Sequence, residues 1–193
     1  MYQILAKEEA DDNWLLFEDD CSGVLIPRPE YKELVCPSCC KINERSALQI
    51  GVSNRFKVPG KKDIYSSSDE YLLVSRRLRD FILTSGVKGL KFCPIPSTDN
   101  YCLMACDHFV KVNHEKVGFE YIDRCSRCDR YSEIIVGPLI AGLHVPDDPL
   151  TVFCAEIANE NVKVSYYPIF ATKTVKKLIE NEKFSGILFE EAW

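Results

Sequence analysis

The chain has 193 residues, 46% of them hydrophobic and 27% charged, the composition of a globular protein long enough to bury a sizeable core. Twenty-four Lys and Arg against 29 Asp and Glu leave a formal charge of -5, which weighs against a general phosphate-binding surface, because nucleic-acid affinity rests on clustered cations. The longest nearly apolar run, Ile134 to Val145, contains Gly137, Pro138, Gly142 and His144 and falls short of the roughly 20 residues of a bilayer span, so no membrane association is expected.

From Met1 the chain runs quickly into acids, without the basic start and apolar stretch of an export signal, so the reducing cytoplasm is the expected location. There the ten Cys serve as metal ligands or free thiols rather than as a disulfide framework. Tyr2 to Ala6 and Trp14 to Phe17 read as strands joined by a turn, and Leu25-Ile26-Pro27-Arg28-Pro29 as a break in regular structure. The acids at Glu8 to Asp12 and Glu18 to Asp20 read as a solvated face, with a partner-binding surface as the alternative.

Cys36-Pro37-Ser38-Cys39 is a metal-type hook, and Cys125-Ser126-Arg127-Cys128 repeats it 89 residues later. Two Cys separated by two residues can face one small ion, and two such pairs supply the four thiolates of a tetrahedral zinc site. A closed four-thiolate shell leaves no position for water or substrate, so the expected Zn2+ is structural. The residue after the second Cys of such a hook often needs positive φ, which Gly meets without strain, yet these places hold Cys40 and Asp129. Cys40 is therefore also a candidate substitute ligand. Ordinary thiols and a redox dithiol are the other readings of the hooks, although neither hook has the aromatic-Cys-Gly-Pro-Cys context of thioredoxin-like sites.

Asn54 to Asp63, with Pro59-Gly60-Lys61-Lys62, reads as an exposed loop and Ser66 to Glu70 as another. Leu72 to Ser75 then reads as a strand, Arg76 to Ser85 as a helix and Gly86 to Phe92 as the return to a strand. Leu78, Phe81 and Ile82 share a helix face, Ser75 is a suitable N-cap, and Gly86 can end the helix. Tyr101 to Val112 begins apolar and ends in strand-like alternation, with Met104 in the core. Cys102, Cys106, His108 and His114 would form a second metal cluster only if that strand ran unbroken through Asn113. Cys21, Cys93 and Cys154 read as small hydrophobes, and His144 as a surface or satisfied core residue. Pro146-Asp147-Asp148-Pro149 marks a turn before the apolar run Thr151 to Ala155.

Strand, helix and strand return over Ile169 to Phe189, 97 residues after the first set, with Ser75 on Thr172, Leu78 on Val175, Phe81 on Leu178, Ile82 on Ile179 and Gly89 on Gly186. The agreement suggests an internal repeat, about 70–93 and 167–190; two unrelated capped helices are the alternative. The expected architecture is a single compact α+β domain over residues 1–193, in which two related strand-helix-strand halves are joined by a zinc-ribbon-like site of Cys36, Cys39, Cys125 and Cys128. No G-x-S-x-G, P-loop, G-x-G-x-x-G or H-E-x-x-H occurs, so a non-enzymatic role is expected.

With these features in this order, the chain resembles the double-CXXCG motif family of bacterial proteins, known especially from myxobacteria. Members carry a C-P-x-C-G hook in the first third, then a segment like Leu73-Val74-Ser75 with its helix and Gly89-Leu90-Lys91. The second hook and a closing segment like Phe170-Ala171-Thr172 to Gly186-Ile187-Leu188-Phe189 follow. Both hooks here depart from the family at the Gly. Some members look like immunity proteins, so the resemblance implies a zinc-binding protein that neutralises a cognate toxin by direct contact. The rival readings are a thiol-disulfide oxidoreductase working through the hooks and a zinc-ribbon module that binds nucleic acid, the latter opposed by the charge balance.

Overall fold

Leu72, Leu73 and Val74 are all buried although neighbouring strand residues point to opposite faces, which requires that both faces of their sheet be covered. In the computed structural model, which describes residues 1–7, 14–19, 25–42, 47, 50–58, 60–137, 142–156 and 168–192, that sheet has four strands. They are β4 (Ile64–Ser66), β5 (Leu72–Ser75), β6 (Leu90–Ile95) and β7 (Thr98–Cys106), in the order β4-β5-β7-β6. A second sheet is made of β1 (Tyr2–Ala6), β8 (Phe109–Lys111), β11 (Val152–Glu156), β12 (Ile169–Ala171) and β13 (Ile187–Glu191), in the order β13-β1-β12-β11-β8. Two hairpins complete the strands: β2 (Phe17–Asp19) with β3 (Leu25–Pro27), and β9 (Phe119–Arg124) with β10 (Tyr131–Val136). The helices with bounds among the described residues are α1 (Arg76–Thr84), α2 (His114–Val117) and α3 (Lys173–Asn181), so the fold is α+β and dominated by strands.

One core joins the two sheets. Ile64, Leu72, Val74, Cys102 and Met104 from the four-stranded sheet meet Ile4, Val152 and Ala171 from the five-stranded sheet, with Leu78 and Ile82 of α1 and Val175 and Ile179 of α3. The opposite face of the four-stranded sheet, carrying Tyr65, Leu73, Ile95 and Leu103, is covered by Leu15, Leu16, Tyr31, Ile42 and Phe56. Phe153, Ala155 and Phe170 of the five-stranded sheet pack in a third cluster with Val112 and Val117. The two longer helices start at the side-chain oxygens anticipated for them: Ser75 accepts from the Leu78 N-H at 3.1 Å and Thr172 from the Val175 N-H at 3.2 Å.

The strand-helix-strand segments also share a register. Val74 faces Cys102 as Ala171 faces Tyr2, Phe92 faces Met104 as Phe189 faces Ile4, and Ile64 faces Val74 as Val152 faces Ala171. In the first unit the central strand is β7, which follows β6; in the second it is β1, from the other end of the chain. Gly89 and Gly186 occupy equivalent places, with φ of 85° and 84°. A Cβ on Gly89 would lie 1.9 Å from the Val152 carbonyl oxygen and one on Gly186 2.7 Å from that of Ile64, so each unit presses a glycine against the first strand of the other.

Asp63 ties the units together at this junction. Its carboxylate accepts from the Ser75 hydroxyl at 2.8 Å, the Ser185 N-H at 2.8 Å, the Ser185 hydroxyl at 3.0 Å and Arg77 at 3.3 Å. Arg77 also donates to the Glu182 carbonyl at 3.1 Å and lies 4.4 Å from the centre of the Phe184 ring. Burial pushes the Asp63 carboxyl up, but the Ser185 N-H, the two hydroxyls and Arg77 outweigh it and hold it below the ordinary 3.8.

Several local expectations are corrected. Trp14 to Leu16 form no strand; regular structure begins at Phe17, and its partner is Leu25–Pro27, a segment read as a break. β1 pairs with β12 and β13 instead, because its apolar residues are equally served by any sheet that buries the same face. The described residues of Asn54 to Asp63 form no strand or helix, as expected, but are not wholly exposed: Phe56 is fully buried and Asp63 nearly so. Ser67 is buried too, and Asp69 beyond it accepts the Leu15 and Leu16 N-H groups at 2.9 and 2.8 Å, which replaces the second exposed loop with a packed turn. Glu18 pairs with Arg28 at 3.5 Å and Arg55 at 3.7 Å rather than simply facing solvent. Glu8 to Asp12, Asp20 and Cys21 lie outside the described residues. Among the described residues, no helix is long and apolar enough to cross a membrane.

Asp63→Ala is expected to destabilise the chain by about 1–3 kcal/mol in chemical denaturation, because it leaves the partly buried Ser75 and Ser185 donors without their acceptor. The depressed carboxyl stabilises above its unfolded value and loses that contribution as pH falls through its folded value. The parent should therefore lose stability on acidification below about pH 4 more steeply than Asp63→Ala; parallel profiles would contradict this role.

Candidate metal centre

The first hook is held from behind by a 3-10 turn, Pro29–Leu34, in which Tyr31 is fully buried and donates its hydroxyl to the Gly51 carbonyl at 2.7 Å. Val35 then bridges Ile42, which closes the intervening residues into a tight loop. Within it the Cys36 N-H donates to the Lys41 carbonyl at 2.9 Å and the Cys40 N-H to the Cys36 carbonyl at 2.8 Å. The second hook is the turn of the β9–β10 hairpin, where Arg124 pairs with Tyr131. There Cys125 donates to Arg130 at 2.7 Å and Asp129 to Cys125 at 2.9 Å, the same two bonds 89 positions on. Both residues after the second Cys are left-handed, Cys40 at φ 57° and Asp129 at φ 61°, the conformation the hook imposes whichever residue occupies the place.

The two loops point their sulfurs at one another. Ligand atoms of Cys36, Cys39, Cys125 and Cys128 lie within 4.8 Å of one another, with Cys36 Sγ 3.9 Å from Cys125 Sγ and Cys39 Sγ 3.5 Å from Cys128 Sγ. A tetrahedron with metal-sulfur bonds of about 2.3 Å has edges of about 3.8 Å, whereas a disulfide brings its sulfurs to about 2.05 Å. The donor set and its spacing thus fit a tetrahedral metal ion. Cys36 is buried and the other three are partly so. Among the described residues, no other group of three or more Cys, His, Asp or Glu gathers in this way.

Backbone N-H groups inside each hook favour thiolate. Those of Cys39 and Ser38 bring Cys36 down to about 6, and those of Arg127 and Cys128 lower Cys125. For Cys39 the Lys41 N-H works in the same direction, but burial and the neighbouring sulfurs prevail and raise it to about 11. Four thiolates at this spacing repel one another, so full ionisation calls for a bound cation.

Two supporting residues escaped the sequence reading. Lys41 Nζ donates to the Tyr131 carbonyl at 3.0 Å, and buried Arg130 donates through Nη1 to the Ile42 carbonyl, so each loop grips the other's backbone. The only signal was a cation two places after the second Cys of each hook. Cys40 is exposed and stands outside the four-sulfur group, so the substitute-ligand reading finds no support. Cys102, Cys106 and His108 are not gathered either, and the side chain of His114, the fourth member of that expected cluster, lies outside the described residues: the strand breaks at Asp107 and His108, and Cys102 lies in the core with its sulfur 3.7 Å from the Val74 carbonyl.

The chain matches no family model, and no curated protein matches it.

Cys40→Gly is expected to raise stability by about 1 kcal/mol, by relieving a left-handed side chain, while metal content measured by atomic emission stays unchanged. Cys39→Ser should lose the metal. Loss of metal in Cys40→Gly would show that the ligand set is wrong.

Proposed function

We propose that the chain is a non-enzymatic zinc-binding immunity protein that neutralises a cognate bacterial toxin in the cytoplasm by direct binding. Cys36, Cys39, Cys125 and Cys128 hold a structural Zn2+, and the metal joins two related halves into one rigid body. The observation that carries this reading is the spacing of the four sulfurs, 3.9 and 3.5 Å across the hooks, drawn from two loops of the same geometry. Soft thiolates in a tetrahedral arrangement select zinc over hard divalent ions, and a filled shell supplies rigidity rather than reactivity.

The shared register of the two strand-helix-strand units supports their origin as a repeat. The immunity role rests on the likeness of the hooks and closing segments to the double-CXXCG motif family. A net charge of -5 suits a basic partner, since complementary charge speeds encounter and fixes orientation.

The test has two parts: metal analysis of the purified chain, and titration against the toxin encoded beside its gene. The reading expects one zinc per chain and stoichiometric loss of toxin activity, with binding weakened once a chelator has removed the metal. A metal-free chain whose hooks cycle between dithiol and disulfide, or salt-sensitive binding to DNA without toxin inhibition, would replace it with one of the rival functions.

A further inference from the structure

Two thiols outside the metal centre meet where the sheets join. Cys106 ends β7 in the four-stranded sheet, and Cys154 sits in the middle of β11 in the five-stranded sheet. After Cys106 the chain turns through Asp107 and His108 into β8, which runs beside β11 with Phe109 opposite Cys154. The His108 carbonyl therefore accepts from the Cys154 N-H at 2.9 Å and from the Cys106 thiol at 3.2 Å, so one acceptor holds the two cysteines side by side. Cys106 is partly exposed, whereas Cys154 is 1% exposed, so a reagent reaches one sulfur and not the other.

We propose that Cys106 and Cys154 are a redox-active dithiol that closes to a disulfide on meeting a small-molecule disulfide such as oxidised glutathione. The step is an exchange in two parts. The Cys106 thiolate attacks one glutathione sulfur, the glutathione S-S bond breaks, and one glutathione leaves as thiolate. Cys154 gives its proton to that leaving thiolate and attacks the Cys106 sulfur, expelling the second glutathione. Two protein thiols are thereby oxidised, and one glutathione disulfide is reduced to two thiols. Cys106 is suited to attack first, because the Cys154 thiol and backbone N-H groups stabilise its thiolate while Cys154 itself is held protonated. The bond would join β7 to β11, linking the two sheets by a covalent bridge independent of the metal and of any toxin.

The purified chain, with its metal retained, is incubated with oxidised glutathione, alkylated, digested without reduction and mapped by mass spectrometry. The expected result is a cross-linked peptide pair joining Cys106 to Cys154 in most molecules, released by a reducing agent. It should be absent from Cys106→Ser, while Cys154→Ser should accumulate glutathione on Cys106. No cross-link in the parent chain, or links formed instead by the hook cysteines, Cys93 or Cys102, overturns the proposal. The parent map decides even if Cys154→Ser fails to fold.

Discussion

Four sulfur atoms from positions 89 residues apart occupy a space within 4.8 Å, and thiolates so crowded repel unless a cation lies among them. That requirement organises the rest. Each hook is closed by a pair of backbone bonds that fixes where its sulfurs point, and each is gripped by the cation of the other, Lys41 on Tyr131 and Arg130 on Ile42. The hooks lie in parts of the chain that otherwise belong to different surroundings. Val35 and Ile42 pack with the layer over the four-stranded sheet, whereas Cys125 and Cys128 lie in the turn of a separate hairpin. An ion shared between them would remove the freedom of one to move against the other.

Deeper in the molecule the same reciprocity appears without metal. Gly89 approaches Val152 as Gly186 approaches Ile64, and the backbone of Lys88 pairs with β11 while that of Ser185 receives the Asp63 N-H. Such close approach excludes a side chain at either glycine, so the junction is specified by backbone geometry more than by apolar area. Asp63 adds a charged anchor, facing the helix cap of its own unit and Ser185 of the other. Strand-helix-strand units that interlock in this way cannot separate without exposing the core that both helices share.

What could be read from the chain was local. The hooks, the Ser75 and Thr172 caps and the faces of Leu78, Ile82, Val175 and Ile179 depend on neighbours within a few residues, and the structure places each in the element anticipated for it. Pairing was not local. Nothing in Tyr2 to Ala6 points to Ile187 to Glu191, since short apolar strands accept any partner that covers the same face. The burial of Phe56 in an irregular segment, the role of Asp69 as acceptor for Leu15 and Leu16, and the break at Asp107 that leaves Cys106 beside Cys154 all follow from packing between distant segments. A cysteine that looked like a small hydrophobe, Cys154, has a thiol neighbour only because two sheets meet there.

X-ray absorption at the zinc edge of the purified chain tests the central claim most directly. Four sulfur scatterers at about 2.3 Å, with no nitrogen or oxygen in the first shell, is the result the two converging hooks predict. A shell of two sulfurs completed by lighter atoms would mean that the hooks do not share one ion, and the account of how this fold is held together would be contradicted.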